Sequence, residues 1–352
     1  MPSMPEPAIA LSQDRHLTLV VPGLAYAAAD KQFNGNLQRL EWLLGRADKS
    51  VDPLDSVEAS LFQSFGVEIK PGQDVPVAAV TRVLDMGVVD NAWWIRADPV
   101  HLAPHGDSLI LSGGDGLVIS QEEADQLVVE ILDVFLADGW VLKAPRPDRW
   151  YLQLVEVPDM QTTPVANVAG RDISPALPTG KEGKQWHTVL NELQIMLHTS
   201  AVNVEREAKG LPAINGLWLW GGGRLPTLKE NNWVKYWGQD AVGTALARLS
   251  EVALSGRPAS GENWLREAEA GKHLVMLDQA SLARLGGQAE ALQDFVDTFD
   301  EQWIEPLINA LRTKELSGLT IVLDGGISFR ADANGLGRWW RRRARISSLG
   351  RT

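Results

Sequence analysis

The short run HLTLVV at residues 16–21 constrains the fold more than any other feature, because almost all of its side chains are apolar or β-branched. A strand that is apolar on both faces is typical of a parallel sheet whose two faces are covered by helices. The run ends at Pro22-Gly23, where the chain is expected to turn. We therefore predict a buried strand at the start of an α/β core.

Segments with helical periodicity follow this strand. Residues 38–46, 57–66 and 76–87 carry apolar side chains at helical spacing, and residues 93–95 have the composition of a strand. Ser120 and Glu123 have the spacing of a capping box, and an apolar stripe follows them, which predicts a helix that starts at residue 121. This order of strands and helices indicates α/β layering.

The second half of the chain also combines strands and helices, whereas the middle of the chain differs in composition. Strands are predicted at 272–278 and 319–326, and helices at 241–255, 259–270 and 288–314. Residues 114–212 instead combine strand fragments at 116–119 and 150–155, a loop rich in proline and glycine, and a helix at 184–198. We therefore predict a discontinuous core of residues 15–113 and 213–352 and an inserted α+β domain of residues 114–212.

One stretch within this pattern is unusual. Residues 214–224, INGLWLWGGGR, join two tryptophans to three glycines. We interpret residues 217–220 as a core strand and the glycines as a tight turn, and contact of that turn with a ligand stays open as an alternative. Most of the 14 tryptophans are expected to pack in the core.

Composition excludes several classes of function. The chain has no cysteine, which rules out disulfides, thiolate nucleophiles and cysteine-ligated metals. Its formal net charge of −12 disfavours nucleic acid as a partner. No window is apolar enough to span a membrane and no export signal is recognisable, so we expect a cytoplasmic protein.

Several motifs resemble known families. The segments RADPVHL, DGLVISQEEADQL and LHTSAVNVEREAKGLPAINGLWLWGGG resemble archaeal-type cofactor-independent phosphoglycerate mutases of the alkaline-phosphatase-like superfamily. The segments NELQIMLH, INGLWLWGGG and GRWWRRR resemble RpfE-type bacterial regulatory proteins more closely. The resemblance implies an alkaline-phosphatase-like α/β core, with a mainly parallel sheet flanked by helices and a small inserted α+β domain.

The same resemblance implies a two-metal phosphotransferase centre, from which this sequence departs. Pro22, Gly23 and Leu24 stand where the first aspartate ligand is expected, and Asp324 is followed by glycine instead of histidine. The segment NVAGRDISP lacks the expected Asp-Pro-His triplet. Ser56 and Ser64 have the wrong surroundings for a nucleophile. We therefore assign no catalytic residue, metal ligand or cofactor.

Six polar residues are candidates for binding a small phosphorylated or carboxylate ligand. Asn203, Arg206 and Arg224 fall where the mutase pattern holds a carboxylate or a phosphate. The planar guanidinium group of arginine can bind either anion. The alternative role of Arg206 is an ion pair with Glu205 or Glu207. On a helix, His101 and His105 could bind one metal ion together. Pro99 and Pro104 disfavour a helix at these positions. The candidates are Asn203, Arg206, Asn215, Arg224, Asp98 and His101.

Three hypotheses for the function follow. We expect a mutase-like protein without the catalytic set, which binds a ligand or protein partner in regulation. The first alternative is a metal-dependent phosphoglycerate mutase or related phosphotransferase with rearranged ligands. The second is a nucleic-acid-binding regulator that uses the C-terminal segment GRWWRRRARISS, although docking of this segment on the protein's own acidic surface is favoured.

Overall fold

The computed structural model describes residues 14–30, 33, 35–51, 56–70 and 72–350. These residues form twelve strands: β1 (Arg15–Val20), β2 (Asp48–Val51), β3 (Trp94–His105), β4 (Ser108–Gly113), β5 (Val141–Arg146), β6 (Arg149–Gln153), β7 (Gly216–Gly223), β8 (Trp233–Trp237), β9 (Ala253–Ser255), β10 (Gly271–Met276), β11 (Gly318–Leu323) and β12 (Ile327–Ala331).

The helices of the same residues are α1 (Leu24–Ala29), α2 (Gln38–Arg46), α3 (Val57–Ser64), α4 (Val77–Met86), α5 (Gln121–Val134), α6 (Val165–Val168), α7 (Gly183–His198), α8 (Ala201–Ala208), α9 (Ala241–Leu249), α10 (Gly261–Glu267), α11 (Gln279–Leu285), α12 (Ala289–Phe299), α13 (Glu305–Arg312) and α14 (Ala333–Leu336). None of them combines the length and the apolar character that a membrane-spanning helix requires.

The large sheet has seven strands in the order β2-β12-β11-β1-β10-β8-β9. The five strands from β11 to β9 are parallel, while β12 runs antiparallel to β11 and to β2. Strand β1 lies in the middle, where Leu19 pairs with Val275 on one side and Ile321 on the other. The predicted α/β class, with a mainly parallel sheet flanked by helices, is confirmed.

Apolar side chains from both faces of the sheet build separate cores. On one face the sheet packs against α1, α2, α10, α12 and α13. On the other face, α3, α4 and α9 lie between the large sheet and a second, smaller sheet, and one apolar cluster contains residues from all three layers. Helices α5 and α7 cover the far face of the smaller sheet.

The smaller sheet is antiparallel and is organised around the long strand β3. Strand β7 pairs with the first half of β3, β6 and β4 pair along its other edge, and β5 extends the sheet beyond β6. Residues 94–113 and 216–223, which the sequence-based division placed in the core, therefore belong to the smaller sheet. The domain division stays a prediction, and sheet membership favours boundaries near residues 94 and 223.

Several predicted elements differ from those in the structure. Residues 241–255 form helix α9 and then strand β9, because the chain leaves the helix at Ser250 and Glu251 adopts a left-handed conformation. Residues 116 and 117 end a 3-10 turn and residues 118 and 119 are irregular, so the strand predicted at 116–119 does not form. The predicted helix 288–314 contains a π-helical segment at Asp300–Ile304. The predicted capping box of Ser120 and Glu123 is confirmed.

The glycines of the GGG run continue strand β7, so the predicted tight turn is wrong. The pairing with β3 shifts register between Trp94 and Arg96, which is a β-bulge, and Gly221 adopts a left-handed φ of 65° there. A side chain at Gly221 would lie 2.8 Å from the Cβ atom of Val77. The glycines therefore allow β7 to approach the start of α4.

We predict that Gly221→Ala lowers the free energy of unfolding by about 2–5 kcal/mol, because the backbone strain and the clash with Val77 add. Gly210→Ala is the matched control: Gly210 has a similar φ of 71° and open space around it, so only the strain of about 1–2 kcal/mol applies. Urea denaturation measures both. Equal losses would contradict a packing role for Gly221.

Candidate functional site

Four carboxyl groups lie near the carboxyl edge of the parallel strands, where ligands bind in open α/β sheets. Asp240, Asp278 and Asp324 follow strands β8, β10 and β11, and the register of the parallel strands brings these ends to one edge. Glu58 of helix α3 contributes the fourth, close enough for the charges of Asp240 and Asp324 to affect it. This edge is the candidate site.

The carboxylate of Asp324 binds the start of helix α1. Oδ1 accepts the N–H of Gly23 at 2.6 Å, and Oδ2 accepts those of Ala25 at 2.8 Å and Tyr26 at 3.2 Å. Asp324 is 3% exposed, and burial raises its pKa, partly offset by these N–H donors. The acidic residue that the sequence retains at this position therefore binds the protein's own backbone.

Gly23, which follows strand β1, has no room for an acidic side chain. Gly23 has a left-handed φ of 86°, and a Cβ atom there would lie 2.5 Å from the backbone nitrogen of Ser281. Backbone atoms of Ala280 and Ser281, at the start of α11, occupy the space that such a ligand would need. The residues at this position do not fit the metal pair implied by the mutase resemblance.

The two neighbouring aspartates also have partners within the chain. Asp240 caps helix α9 by accepting the N–H of Gly243 at 2.7 Å, and it accepts the hydroxyl of Tyr236. Burial raises the pKa of Asp240 to about 6. Asp278 forms an ion pair with Arg257 at 2.8 Å. Both aspartates are thus engaged by residues beside them.

Glu58 is the one carboxyl group of the four with an unsatisfied atom. Its Oε2 is buried and has no hydrogen-bond partner within the described residues. Burial first, and then the charges of Asp324 and Asp240, raise its pKa to about 7. Ser56, which was considered as a nucleophile, caps α3 by accepting the N–H of Ala59 at 3.0 Å. Among the described residues, no three histidine, aspartate or glutamate side chains could hold a metal ion together.

Two of the six predicted ligand-binding residues hold backbone within the protein. The side chain of Asn203 donates to the carbonyls of Leu197 and Ile214 and accepts the N–H of Ile214, and it is 1% exposed. The side chain of Asn215 forms two hydrogen bonds with the backbone of Leu102. Both amides thus fix the return of the chain into β7.

Arg206 is fully buried and connects helix α8 to the start of helix α5. Its guanidinium donates to the carbonyls of Leu117 and Pro212 and to both oxygens of Glu123, each of the latter at 3.1 Å. The carboxylate of Glu123 also completes the capping box of α5. The ion-pair partner of Arg206 is therefore Glu123. The alternative ion pair with Glu205 or Glu207 does not form.

Asp98 and His101 lie on strand β3. Asp98 forms a buried ion pair with Arg96 at 2.7 Å and accepts the indole N–H of Trp220 at 2.7 Å. Nδ1 of His101 lies 2.8 Å from the carbonyl oxygen of Ala213. Since His101 and His105 are on a strand, the helical metal pair does not form.

Arg224 is exposed and donates to the carbonyl of Asn91. Together with Gly222 and Gly223 it lines a cavity of about 510 Å³ at the end of β7, which is also lined by Asp74 and Trp93. Arg224 is therefore the predicted residue that reaches a cavity beside the glycine run. The other five predicted residues bind internal groups instead of forming one pocket with it.

The arginine-rich segment near the C-terminus is partly docked on the protein. Arg338 binds Asp48 at 2.5 Å and Arg341 binds it at 3.3 Å, and both donate to carbonyls at the end of α2. Trp339 and Trp340 are 81% and 65% exposed, which makes them exceptions to the expected burial of the tryptophans.

Sequence reasoning missed Glu58, Asp240 and Asp278 as residues of this sheet edge. Asp240 had a recognisable signal, because it follows a strand and precedes a helix. Glu58 looked like an ordinary polar position on an amphipathic helix, and its burial depends on distant strands.

We predict that Arg206→Ala lowers the free energy of unfolding by about 3 kcal/mol, because Glu123 and the carbonyls of Leu117, Val118 and Pro212 lose a buried donor. Arg224→Ala is the control and should cost about 0.5 kcal/mol or less, since the side chain is exposed. Denaturant titration distinguishes the two. A loss below that of Arg224→Ala would show that Arg206 has no structural role.

We predict that Glu58 makes the protein less stable as the pH rises from about 4.5 to about 7. The folded state keeps the Glu58 proton to higher pH than the unfolded state, so the free energy of unfolding falls over this window, by about 3 kcal/mol at most. The difference between wild type and Glu58→Gln, measured at pH 5 and pH 8, isolates this contribution. Glu192→Gln, at an exposed position on α7, is the control and should leave the pH dependence unchanged. The prediction is refuted if the free energies of unfolding of wild type and Glu58→Gln differ by the same amount at both pH values.

Comparison with known proteins relates the chain to one enzyme family by local similarity. No protein-family profile matches it. It is 30% identical over 111 residues to the 2,3-bisphosphoglycerate-independent phosphoglycerate mutase of Methanosarcina barkeri, covering 31% of this chain and 28% of that protein. It is 26% identical over 157 residues to a probable enzyme of the same name from Geobacter sulfurreducens, covering 44% and 38%. The matched segments span less than two fifths of each relative.

Solved structures give matches over most of the chain. One is a cofactor-independent phosphoglycerate mutase from Thermoplasma acidophilum, with 14% identity, a TM-score of 0.39 and coverage of 96% of this chain and 94% of that one. Another is the PH0037 protein from Pyrococcus horikoshii, with 12% identity, a TM-score of 0.45 and coverage of 96% and 93%. The sequence matches support homology between parts of this chain and the cofactor-independent phosphoglycerate mutases.

Proposed function

We propose that this chain is a mutase-like protein that does not transfer phosphoryl groups and instead binds a ligand or a protein partner in a regulatory role. One observation carries the proposal: the edge of the sheet where a metal pair would be held is filled by the protein's own backbone. The start of α11 packs against Gly23, and Asp324 accepts three N–H groups of α1.

The chemistry of phosphoryl transfer explains why this arrangement is unsuitable. A two-metal centre needs several carboxylate and imidazole ligands around ions about 4 Å apart, which neutralise the transferring group and activate the nucleophile. Asp240 and Asp278 are engaged by Tyr236 and Arg257, and Ser56 caps a helix. These residues stabilise the fold and would have to give up their present partners to act in catalysis.

The enzymatic alternative, a phosphoglycerate mutase with rearranged ligands, is motivated by the sequence relatives, which carry that name. The regulatory role comes from the resemblance to RpfE-type proteins and stays a prediction. A direct assay separates the two, because they differ in whether substrate is converted.

We expect that the purified protein, incubated with Mn²⁺ and 3-phosphoglycerate, forms 2-phosphoglycerate no faster than a protein-free blank. Enzymes typically turn over at about 1–10³ s⁻¹, so even a poor catalyst would be visible. A coupled enzymatic assay measures the product.

The Methanosarcina barkeri mutase, assayed in parallel, controls for the conditions. Gly23→Asp, which restores an acidic residue after β1, should lower the melting temperature without creating activity. Turnover that a chelator abolishes in the wild-type protein would contradict the proposed function.

A further inference from the structure

A cavity of about 750 Å³ lies beside the candidate site, between α1, α11, α12 and the loop at Gly170 and Arg171. This volume is within the range of small-molecule sites, about 300–1,000 Å³. Phe33, Leu292 and Val296 line one part of it with apolar groups. The remaining wall carries two arginines and a tyrosine, together with the polar residues Asp30, Gln288 and Gln293.

The two arginines share one aromatic ring. The guanidinium carbons of Arg171 and Arg284 lie 4.8 Å and 5.2 Å from the centre of the Tyr26 ring. Contact with the ring stabilises each cation, but two positive groups so close together repel each other. The carboxylates of Asp324 and Asp30 offset part of this repulsion at Arg284, and an anion bound beside both arginines would reduce it further.

Arg284 has an unused hydrogen-bond donor. Its Nη2 donates to the carbonyl of Ala169 at 2.7 Å, which fixes the guanidinium, whereas Nη1 is buried without a partner among the described residues. Burial first, and then the charge of Arg171, lower its pKa, while Asp324 acts in the opposite direction. A buried charged donor without an acceptor is costly, and a ligand oxygen would satisfy it.

We propose that this cavity binds a small organic oxyanion, a carboxylate or a phosphate ester, whose oxygens contact Arg171 and Arg284 and whose apolar body packs against Phe33, Leu292 and Val296. Guanidinium groups bind both kinds of oxyanion through paired N–H donors. The chain as a whole carries a net charge of −12, so two clustered arginines at a cavity run against its general charge. The proposal rests on the proposed function and names the class of its ligand.

Calorimetric titration and thermal melting of the full chain test the proposal. The probes are phenyl phosphate and sodium benzoate, which separate phosphate from carboxylate, with inorganic phosphate and benzyl alcohol as ligands that carry only one half of the chemistry. We expect saturable binding and a raised melting temperature with at least one aromatic anion, weakened by salt. The two half-ligands should bind at least about tenfold more weakly.

Arg284→Gln and Arg171→Gln should each weaken binding of that anion at least about tenfold. Arg248→Gln, an exposed position at the end of α9, is the control and should not. Since Arg284 also holds the Ala169 loop, its variant is melted without ligand first, and Arg171→Gln tests the site independently.

The proposal is overturned if neither aromatic anion binds at millimolar concentration, or if binding is unchanged in both arginine variants. If neither anion binds and no mutase turnover is observed, the proposed cavity ligand is refuted while the proposed function stands. Turnover of 3-phosphoglycerate would contradict the proposed function whatever the probes do.

Discussion

The carboxylate of Asp324 joins the end of strand β11 to the first turn of helix α1, and the arrangement of the whole sheet edge depends on this contact. Three backbone N–H groups converge on two oxygens that are almost completely buried. The contact holds Gly23 against the start of α11 and holds Tyr26 beside two arginines. One side chain therefore sets both the closed edge and the open cavity beside it.

The closed edge and the cavity have opposite chemical characters. At the edge, acidic groups are satisfied by helix starts, a tyrosine and an arginine, and Glu58 is the exception. In the cavity, two arginines lie on a wall that also carries Asp30, and one buried donor of Arg284 is unsatisfied. The proposed anion site thus lies beside a sheet edge whose acidic groups are mostly satisfied within the protein.

The sequence predicted the layers of the fold well because periodicity is a local property. The apolar run at β1 and the capping box of Ser120 and Glu123 each depend on a few neighbouring residues, and both form as predicted. The predicted ligand residues depended on distant partners instead. Asn203 and Arg206 have the chemistry of anion binders, but Ile214 and Glu123 use their polar atoms, and no local pattern reveals this. Arg284 was equally invisible, because its orphaned donor exists only where α11 meets the Ala169 loop.

The borders of the large sheet have a consequence for solubility. Strand β2 closes one side with four residues, DKSV, that are all exposed, and β9 closes the other with three. Short border strands offer few free backbone groups for another chain to pair with, and β2 also carries the charged residues Asp48 and Lys49. Arg338 and Arg341 also bind Asp48 on the first of these strands. The sheet thus ends in borders that discourage fibril-like stacking of one molecule on the next, even though its interior is built from the apolar strands most prone to it.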